Sequence, residues 1–553
     1  MSSESPTGYN AAADLIGRNF AAGRGAKTAF IDDRGHYSYA ELAERVSRFA
    51  NLVRRLGIHP EQRILLCLHD TIDFPTAFLG AIKAGAVPVA INTQLSAAEF
   101  AFMAADSRAR AVVVSSPLLP VMDAALTALS GPRPALIVSG GDAQEHSLTA
   151  LLADVSTTSD TAPTHPDEPC FWLYSSGSTG RPKGTVHIHS SLMQTAELYA
   201  IPVLGINESD IVFSAAKLFF AYGLGNALTF PLAVGATSVL MAERPTPAAV
   251  SRVLRECRPT IFYGVPTLYN AMLAGNDLPR GDELALRRCV SAGEPLPQEI
   301  GRRWSAQVGV DILDGIGSTE MLHIFLSNWP DGVRYGTTGR PIPGYQLKIV
   351  DEEERPVRRG EIGDLLVSGP TSAAYYWNNR ERCRSTFTGP WTRTGDKYFE
   401  DEDGYYVYCG RSDDMMKVSG MYVSPAEVEA ALIAHEDVLE AAVVGAPDDD
   451  GLTKPKAFVV VKPGIAADEG FARALETYAK SLLAPFKCPR WYAYVDDLPK
   501  TATGKIQRFK LREQTSDRGP SPQPSPRERG EGVVASPSPR ISGEREGPAS
   551  AGG

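Results

Sequence analysis

The stretch that decides the fold is residues 64–91, ILLCLHDTIDFPTAFLGAIKAGAVPVAI. It holds two short apolar runs, Ile64 to Leu68 and Ala86 to Ile91, which have the length and composition of buried strands. Phe74 to Ala84 lies between them and has the apolar spacing of a helix. A strand, a crossover helix and a second strand make the unit from which parallel sheets are built. The stretch therefore predicts a parallel sheet with helices packed on it.

The same alternation continues on both sides of this unit. Leu42, Val46, Phe49, Leu52 and Val53 recur at helical spacing within Tyr39 to Leu56. Ala97 to Ala105 is also helical in pattern, and Ala111 to Val114 is strand-like. Strands that are apolar throughout and alternate with helices are typical of sheets covered on both faces. We expect an α/β protein with a large N-terminal domain of doubly wound sheets.

The pattern changes after about Gly336, where shorter segments rich in turns begin. Gly360 to Gly369 and Asp401 to Gly410 alternate and carry Gly and Asp turns, which favours antiparallel strands in a small barrel-like subdomain. A charged stretch without strand character follows at Arg411 to Met415. Pro425 to Ala434 then begins as a helix, with Ser424 as its N-cap.

These changes predict four regions. Residues 1–410 form the N-terminal domain, residues 411–414 a hinge centred on Asp413, and residues 415–514 a small mobile α/β domain. Residues 515–553 are rich in Pro, Ser, Gly, Arg and Glu and nearly free of aromatic residues. Such a segment buries too little apolar surface to offset the entropy of ordering, so we expect a disordered tail.

Composition excludes several classes of protein. Of the 553 residues 43% are hydrophobic and 22% charged, which is typical of a globular protein. The net charge of -10 disfavours a nucleic-acid partner. No secretory signal and no membrane-length apolar run is present, and the seven cysteines form no C-x-x-C pair. We expect reduced thiols, no membrane partner and a cytoplasmic location.

The strongest local motif is YSSGSTGRPKG, from Tyr174 to Gly184, which follows the strand-like run Phe171 to Leu173. Its glycines let backbone N–H groups converge, its hydroxyls add donors, and Lys183 supplies a positive charge, so the loop suits a polyphosphate. The spacing is not that of a G-x-x-x-x-G-K-[ST] loop, because Pro182 stands five residues after Gly177. The motif therefore predicts a phosphate site of another kind than the kinase-like P-loop.

Further motifs follow in order along the chain, and together they resemble the adenylate-forming superfamily of acyl-CoA synthetases, luciferases and nonribosomal adenylation domains. They are SAGEPL at residues 291–296, DGIGSTE at 314–320, TGD at 394–396, GRSDD at 410–414, KVSGM at 417–421 and LPKTATGKIQR at 498–508. The resemblance covers about residues 10 to 513, nearly everything except the tail.

The resemblance implies ATP, Mg²⁺ and coenzyme A as cofactor and co-substrates, and it assigns roles to residues. Catalytic roles fall on Lys505, Thr319, Glu320 and Lys183, with Glu320 as the metal ligand, since a carboxylate oxygen suits a hard cation. The implied ATP- and AMP-binding residues are Ser175, Ser176, Gly177, Ser178, Thr179, Gly180, Gly293, Glu294, Pro295, Asp314, Gly315, Ile316, Asp396 and Arg411. Ser419, Gly420 and Met421 would line the coenzyme A tunnel. Ile316 replaces the aromatic residue that most of the superfamily carries, which alters how adenine would be stacked.

Two segments resemble the benzoate–CoA ligase branch of the superfamily, namely KLFFAYGLGN at residues 217–226 and MLHIFLSN at 321–328. By that resemblance Ala221, Tyr222, Gly317, His323 and Ile324 line an acyl pocket. Aromatic residues mixed with small ones suit a flat ring. Phe219 and Phe220 are equally consistent with ordinary core, and His323 with a structural histidine.

The implied function is AMP-forming ligation of an aromatic carboxylate, benzoate, to coenzyme A. Two alternatives stay open: a ligase for a substituted or heteroaromatic acid such as hydroxybenzoate, aminobenzoate or furoate, or an enzyme that loads a carrier protein. An inactive binding protein is disfavoured, because the motif residues are intact. Other candidate partners are a second copy in a homodimer and a lysine acetyltransferase or deacetylase acting on Lys505, because acetylation would neutralise the charge of that lysine.

Overall fold

The computed structural model describes residues 8–141, 146–175, 182–275, 277–418, 421–448, 452–500 and 506–516. Its helices and strands are numbered below in chain order. The seven cysteines all lie within these residues, and none of them forms a disulfide.

Short strands run through the whole described chain. They are β1 Thr28–Asp32, β2 Gly35–Ser38, β3 Arg63–Cys67, β4 Val87–Ala90, β5 Ala111–Ser115, β6 Ala135–Ser139, β7 Pro169–Ser175, β8 Lys183–Ile188, β9 Ile211–Ser214, β10 Thr237–Val239, β11 Ile261–Gly264, β12 Arg288–Ser291, β13 Ile312–Gly317, β14 Ile324–Ser327, β15 Arg340–Pro341, β16 Gln346–Val350, β17 Gly363–Ser368, β18 Tyr375–Tyr376, β19 Phe387–Thr388, β20 Trp391–Glu400, β21 Tyr406–Arg411, β22 Met416–Val418, β23 Met421–Val423, β24 Val438–Pro447, β25 Thr453–Val461 and β26 Trp491–Tyr494.

Helices separate most of these strands. They are α1 Ala11–Ala21, α2 Tyr39–Arg55, α3 Asp73–Lys83, α4 Ala97–Ser107, α5 Leu119–Thr127, α6 Leu148–Ala153, α7 His189–Thr195, α8 Ala221–Leu224, α9 Phe230–Val234, α10 Pro247–Glu256, α11 Pro266–Ala274, α12 Gln298–Val308, α13 Arg380–Thr386, α14 Pro425–Ile433, α15 Glu469–Leu482 and α16 Arg508–Ser516. Two π-helical turns, Ala196–Leu204 and Gly225–Thr229, continue α7 and α8.

Two large sheets build the N-terminal part. One has the order β15-β14-β13-β12-β11-β9-β10-β1-β2 and the other β18-β8-β7-β4-β3-β5-β6. Their central strands pair in parallel, and antiparallel strands are added at the edges. The prediction of an α/β fold with doubly wound sheets is confirmed, and the strand–helix–strand unit at residues 64–91 is β3, α3 and β4.

A single apolar core joins the two large sheets. It takes buried side chains from both, among them Leu66, Phe171, Val212 and Val290. Two further clusters lie elsewhere in the fold, one around Phe262 and Trp304 and the other around Trp172 and Phe100. Each sheet is therefore packed on both faces, which fixes the ends of its strands relative to one another.

Smaller antiparallel units follow. β16, β17, β20, β19 and β21 form one sheet, β22 and β23 a hairpin, and β24, β25 and β26 a last sheet that packs against α14 and α15. Helix α14 begins as predicted, since the side chain of Ser424 accepts a hydrogen bond from the N–H of Glu427. A smaller C-terminal unit is thus present, as expected from the sequence.

Two boundaries differ slightly from the predicted ones. Arg411 lies in β21 rather than in a strand-free segment, because it pairs with Asp396 of β20. Helix α16 includes Thr515 and Ser516, which the sequence assigned to the tail. Within the described residues no helix combines the length and the apolar character needed to cross a bilayer.

Candidate active site

Three side chains from distant parts of the chain meet in a buried charge cluster. The Nζ of Lys183 donates to Oε1 of Glu320 at 2.9 Å, and also to the hydroxyl of Tyr376 at 2.9 Å. That hydroxyl donates to the same Oε1 at 2.7 Å. Lys183 opens β8, Glu320 lies in the turn between β13 and β14, and Tyr376 lies in β18. The structure thus brings together two residues that the sequence assigned to catalysis and one that it did not name.

The charge of Glu320 is maintained by its two neighbours. Burial would raise the pKa of this carboxyl, but the ammonium of Lys183 and the hydroxyl of Tyr376 outweigh it and hold the pKa below its ordinary value. The side chains of Lys183 and Glu320 are only 13% and 15% exposed. Glu320 is therefore an anion near neutral pH, in a place where its interaction with a ligand cation is weakly screened.

Thr319, also predicted to be catalytic, is held through its main chain. The Nε2 of His187 lies 2.8 Å from the carbonyl oxygen of Thr319, so this nitrogen carries the proton and donates it. Burial lowers the pKa of His187 to about 4, and the neutral ring stacks on Phe171 with a centroid distance of 5.2 Å. Lys183 and His187 lie four residues apart on β8 and so share one face of the strand.

The phosphate-loop motif lies only partly in the described chain. Ser175 ends β7 and pairs with Lys183 of β8, and its buried hydroxyl has no hydrogen-bond partner among the described residues. Ser176, Gly177, Ser178, Thr179 and Gly180 lie outside those residues. The strands on either side of the loop are therefore adjacent and antiparallel, with Lys183 at the point where β8 begins.

Two segments that were predicted to bind ATP and AMP lie side by side. Gly293, Glu294 and Pro295 follow β12, while Asp314, Gly315 and Ile316 belong to β13, which pairs with β12 in parallel so that Ser291 faces Asp314. Ligands of α/β sheets bind beyond the carboxyl ends of such strands. Burial raises the pKa of Asp314 well above its usual range, and its Oδ1 is buried with no hydrogen-bond partner in the described chain.

The predicted acyl-pocket residues also come together. Ala221 and Tyr222 begin α8, Gly317 ends β13, and Ile324 begins β14. The rings of Tyr222 and His323 lie 5.6 Å apart, and Phe230 approaches His323 edge-on at 4.5 Å. The result is a largely buried cluster of rings beside β12, because the Tyr222 hydroxyl donates to the carbonyl of Val290 in β12 at 3.2 Å.

Two glycines allow close packing around His323. A Cβ on Gly317 would lie 2.5 Å from the carbonyl oxygen of His323, and a Cβ on Gly225 would lie 2.3 Å from the Cδ2 of its ring. Burial lowers the pKa of His323 to about 3, so the ring is neutral. Its Nε2 donates to Oδ1 of Asn226 at 3.1 Å, since the amide nitrogen of Asn226 faces Ser214 as a donor. Phe219 is buried core, and Phe220 packs against that core.

A charged pair lies on the small antiparallel sheet. Nη1 of Arg411 donates to Oδ1 of Asp396 at 3.1 Å and to the carbonyl of Thr394 at 3.1 Å. The pKa of Arg411 is raised by the charge of Asp396. Gly395 has a φ of +74°, and a Cβ there would lie 2.7 Å from the Arg411 guanidinium. Asp396 and Arg411, both predicted to bind ATP and AMP, therefore form one unit.

Comparison with known proteins identifies the family. Residues 18–377 match the AMP-binding enzyme family, and residues 427–505 match the AMP-binding enzyme C-terminal domain. The chain belongs to the AMP-binding enzyme family. The larger match covers the two large sheets, and the smaller one covers most of α14 and all of β24, β25 and β26.

Several relatives of this AMP-binding enzyme cover nearly its whole length. It is 63% identical to a benzoate–CoA ligase of Thauera aromatica over 92% of this chain and 96% of that protein. It is 51% identical to a 4-hydroxybenzoate–CoA/benzoate–CoA ligase of Rhodopseudomonas palustris, over 92% and 94%. A solved benzoate CoA ligase from Burkholderia xenovorans superposes with a TM-score of 0.86 at 55% identity, covering 91% of this chain and all of that one.

The remaining predicted residues lie around the hinge and the small C-terminal unit of this AMP-binding enzyme. Asp413 lies in the turn between β21 and β22, and its carbonyl accepts from Arg512 of α16 at 3.2 Å. Met421 begins β23 and is 45% exposed. Ser419, Gly420 and Lys505 lie outside the described residues. Ile506, directly after Lys505, forms a bridge with Lys500.

Two residues of the site were not predicted from the sequence: Tyr376, in the charge cluster, and His187, which contacts Thr319. A signal for His187 was present, since residues 183, 185 and 187 of a strand share a face, and Lys183 had been singled out. Tyr376 gave no such signal. Its position depends on the pairing of β18 with β8, where Tyr376 faces Thr185, and that pairing joins segments almost two hundred residues apart.

Proposed function

We propose that the chain is an AMP-forming benzoate–CoA ligase. ATP and coenzyme A are its substrates, as follows from its family and from its ligase relatives. The observation that carries the proposal is the 63% identity to a benzoate–CoA ligase over 92% of the chain. The cluster of aromatic rings formed by Tyr222, His323 and Phe230 supports an aromatic acid as the third substrate.

The reaction runs in two displacements. In the first, a carboxylate oxygen of benzoate attacks the α-phosphorus of ATP, the bond to the β-phosphate oxygen breaks, and benzoyl-adenylate and pyrophosphate form. In the second, the thiolate of coenzyme A attacks the carbonyl carbon, the bond to the AMP oxygen breaks, and benzoyl-CoA and AMP leave. The mixed anhydride is needed because a free carboxylate resists attack by another anion.

Positive charge and polar donors near the phosphates supply the catalysis we assign to the first step. Lys183 places an ammonium at the mouth of the phosphate loop and Thr319 adds a hydroxyl, while Lys505 approaches the α-phosphate from the small domain. Each stabilises charge that develops on phosphate oxygens in a site with little water, where electrostatic interactions are strong. No covalent intermediate with the protein is required.

The site fits a magnesium ion that enters together with ATP. Among the described residues no group of three or more His, Cys, Asp and Glu side chains could hold a metal alone. Mg²⁺ usually takes one or two protein carboxylates and completes its shell with phosphate and water oxygens. Glu320 is the carboxylate we assign to it, and the bound ion would neutralise phosphate charge. The carboxylate of Asp396, beside Arg411, accepts hydrogen bonds from the two ribose hydroxyls.

The contacts around Asp413 support a hinge at that residue. On one side, Ser412 is fixed to the N-terminal part, because its N–H donates to the carbonyl of Gly395 at 2.9 Å and its hydroxyl to Asp364 at 2.7 Å. On the other side, Asp414 is fixed to α16 by Arg512 at 2.6 Å. Rotation of the small domain about Asp413 would bring Lys505 to the α-phosphate in one half-reaction and Gly420 to the tunnel in the other.

The polar atoms of Tyr222 and His323 are either engaged or closed off from solvent, which favours an unsubstituted ring. The hydroxyl of Tyr222 and the Nε2 of His323 are both engaged within the protein. Nδ1 of His323 is a buried acceptor with no hydrogen-bond partner in the described chain. Hydroxybenzoate and aminobenzoate stay the second candidates, and the relative named 4-hydroxybenzoate–CoA/benzoate–CoA ligase supports the first of them.

Three further assignments rest on the sequence argument. A cytoplasmic location and a homodimer stay predictions. Acetylation of Lys505 should switch off adenylation, because it removes the charge that approaches the α-phosphate. Protein acetylated at Lys505 that keeps full activity would refute this.

The proposed function is tested by pyrophosphate release across a panel of acids. Benzoate, hydroxybenzoates, aminobenzoates, furoate and short fatty acids are each supplied with ATP, Mg²⁺ and coenzyme A. We expect the highest kcat/KM for benzoate, and release of AMP rather than ADP. A preference for a hydroxy- or aminobenzoate would replace benzoate by the second candidate, and the absence of AMP with every acid would refute the ligase assignment.

A further inference from the structure

We propose that Tyr376 is a positioning residue of the adenylation site, which keeps the Lys183 ammonium and the Glu320 carboxylate in a fixed arrangement for ATP. The proposal rests on the ligase function proposed above and adds a residue to it. Its basis is one hydroxyl that touches both charges, at 2.9 Å from the Nζ of Lys183 and 2.7 Å from Oε1 of Glu320.

The sheet places Tyr376 at this point. In the antiparallel pair of β18 and β8, Tyr376 lies opposite Thr185, two residues from Lys183. Residues i and i+2 of a strand share a face, and so do residues directly opposite on a paired strand. Tyr376 and Lys183 are therefore on one face, whereas Tyr375 is on the other, among the partly buried residues around Trp172. The chain just before β18 also reaches Glu320, because the N–H of Ala373 donates to its carbonyl at 2.7 Å.

The need for such a residue follows from the charges. Lys183 and Glu320 are oppositely charged, largely buried and in contact, so they attract each other strongly. ATP requires them for different tasks, since the ammonium contacts phosphate and the carboxylate holds the cation. All three hydrogen bonds of the cluster involve Oε1 or the phenol, so Oε2 of Glu320 takes part in none of them. Since the cluster anchors Oε1, we assign the metal ion to Oε2.

The phenol acts only as a neutral hydrogen-bonding group. Burial and the neighbouring Glu320 raise its pKa far above the usual range of tyrosine. It donates a hydrogen bond to the carboxylate and accepts one from the ammonium. It therefore holds the phosphate-binding ammonium and the metal-binding carboxylate in place without adding charge. The Lys183 ammonium also lies 4.3 Å from the centre of the ring, and Phe387 packs against that ring at 5.1 Å. Phenylalanine at this position would keep both ring contacts and remove only the hydroxyl.

The test compares Tyr376→Phe with Tyr375→Phe, a matched change on the opposite face of the same strand. Adenylation is measured by benzoate-dependent exchange of labelled pyrophosphate into ATP, without coenzyme A. Thioester formation is measured separately from supplied benzoyl-adenylate. We expect Tyr376→Phe to lower the exchange rate roughly 10- to 100-fold, as the loss of a hydrogen bond to a charged group does. The Mg²⁺ concentration that gives half the maximal exchange rate should rise. The rate of thioester formation should stay within twofold of the wild type. Tyr375→Phe should match the wild type in all three measurements.

Calorimetric titration with ATP and Mg²⁺, without any acid, gives a readout that does not depend on benzoate being the substrate. Tyr376→Phe should weaken binding several-fold, and Tyr375→Phe should leave it unchanged. Exchange and binding within twofold of the wild type would overturn the proposal, and so would an equal loss in both half-reactions. If the wild-type protein bound ATP but none of the acids supported pyrophosphate exchange, that result would count against the proposed function. The binding comparison would still decide the role of Tyr376.

Discussion

Two charge clusters in this molecule are built differently, one around Lys183 and the other around Asp414. The Lys183 cluster joins the edges of two sheets within the N-terminal part, and a neutral phenol lies against both of its ions. In the Asp414 cluster, two arginines of α16 meet two carboxylates: Arg508 contacts Glu429 at 2.7 Å and Asp414 at 3.7 Å, and Arg512 contacts Asp414 at 2.6 Å. Lys183 and Glu320 meet through a single oxygen, whereas Arg508 contacts both oxygens of Glu429.

The Asp414 cluster holds elements of the small domain together, in contrast to the Lys183 cluster, to which we assign a role in binding. Oε1 of Glu429 is occupied by Arg508 and by the N–H of Val443 at 2.7 Å, so α14, β24 and α16 are tied to one another. Through Asp414 this tie reaches the residue next to the proposed hinge. In the sequence Lys505 stands three residues before α16 begins, so we expect movement of the small domain to carry Lys505 with it.

Lys505→Ala should have the largest effect and separates the two regions by function. Without the ammonium, formation of benzoyl-adenylate should fall about 1000-fold, because charge on the α-phosphate loses its partner. Thioester formation from supplied benzoyl-adenylate should be retained within a few-fold. Pyrophosphate exchange and benzoyl-CoA formation, measured on the same preparation, check this. An equal loss in both half-reactions would contradict the hinged arrangement.

Glu320→Gln should lower adenylation about 100-fold, because the amide keeps the shape of the side chain but loses the charge offered to a cation. Glu44→Gln, an exposed change on α2, is the control and should leave the exchange rate unchanged. Raising the Mg²⁺ concentration should restore part of the lost rate. If Glu320→Gln exchanged pyrophosphate at the wild-type rate, the Lys183 cluster would not be the ligand site.

Arg508→Met tests the Asp414 cluster by its effect on stability. The side chains of Arg508 and Glu429 are 19% and 8% exposed, so the substitution leaves a buried carboxylate without its counter-ion. We expect the free energy of unfolding of the small domain to fall by about 3 kcal/mol. The exposed pair Arg473–Glu469 provides the control, since Arg473→Met should cost less than about 0.5 kcal/mol. Both losses in unfolding free energy are measured by hydrogen exchange of the backbone amides of β24 and β25 at increasing urea concentration.

The smallest effect we predict is a change in the pH dependence of stability in Lys183→Met. In the wild type the folded-state pKa of Glu320 is depressed. Its contribution to the free energy of unfolding is therefore present above the ordinary pKa and is lost as the pH falls through the lower folded-state pKa. Without Lys183 the burial of Glu320 should raise that pKa, and stability should then be lost as the pH rises. The deficit relative to wild type should be about 1 to 3 kcal/mol larger at pH 8 than at pH 5. The double variant Lys183→Met with Glu320→Gln should remove this difference.

The sequence predicted the fold through features that act locally. Apolar runs of strand length between helical patterns gave β3, α3, β4, α4 and β5 in order, because burial on both faces requires such runs. The cap of α14 depends only on Ser424 and Glu427, three residues apart, and it was predicted for the same reason.

What the sequence could not give depends on pairing between distant segments. Lys183 and Glu320 are 137 residues apart, and only the resemblance to a known family linked them before the structure. Tyr376 had no such link, because nothing in residues 371–377 shows that they add a strand beside β8. The extension of β21 to Arg411 was missed likewise, since its backbone hydrogen bonds are made with β20.

The most direct test of the acyl-adenylate route follows oxygen atoms. Benzoate labelled with ¹⁸O in both carboxylate positions is supplied with ATP, Mg²⁺ and coenzyme A, and the nucleotide product is analysed by mass spectrometry. Attack of the carboxylate on the α-phosphorus, followed by cleavage of the acyl bond by the thiolate, predicts AMP that carries one ¹⁸O in its phosphate. Unlabelled AMP, or ADP with labelled phosphate, would contradict the account.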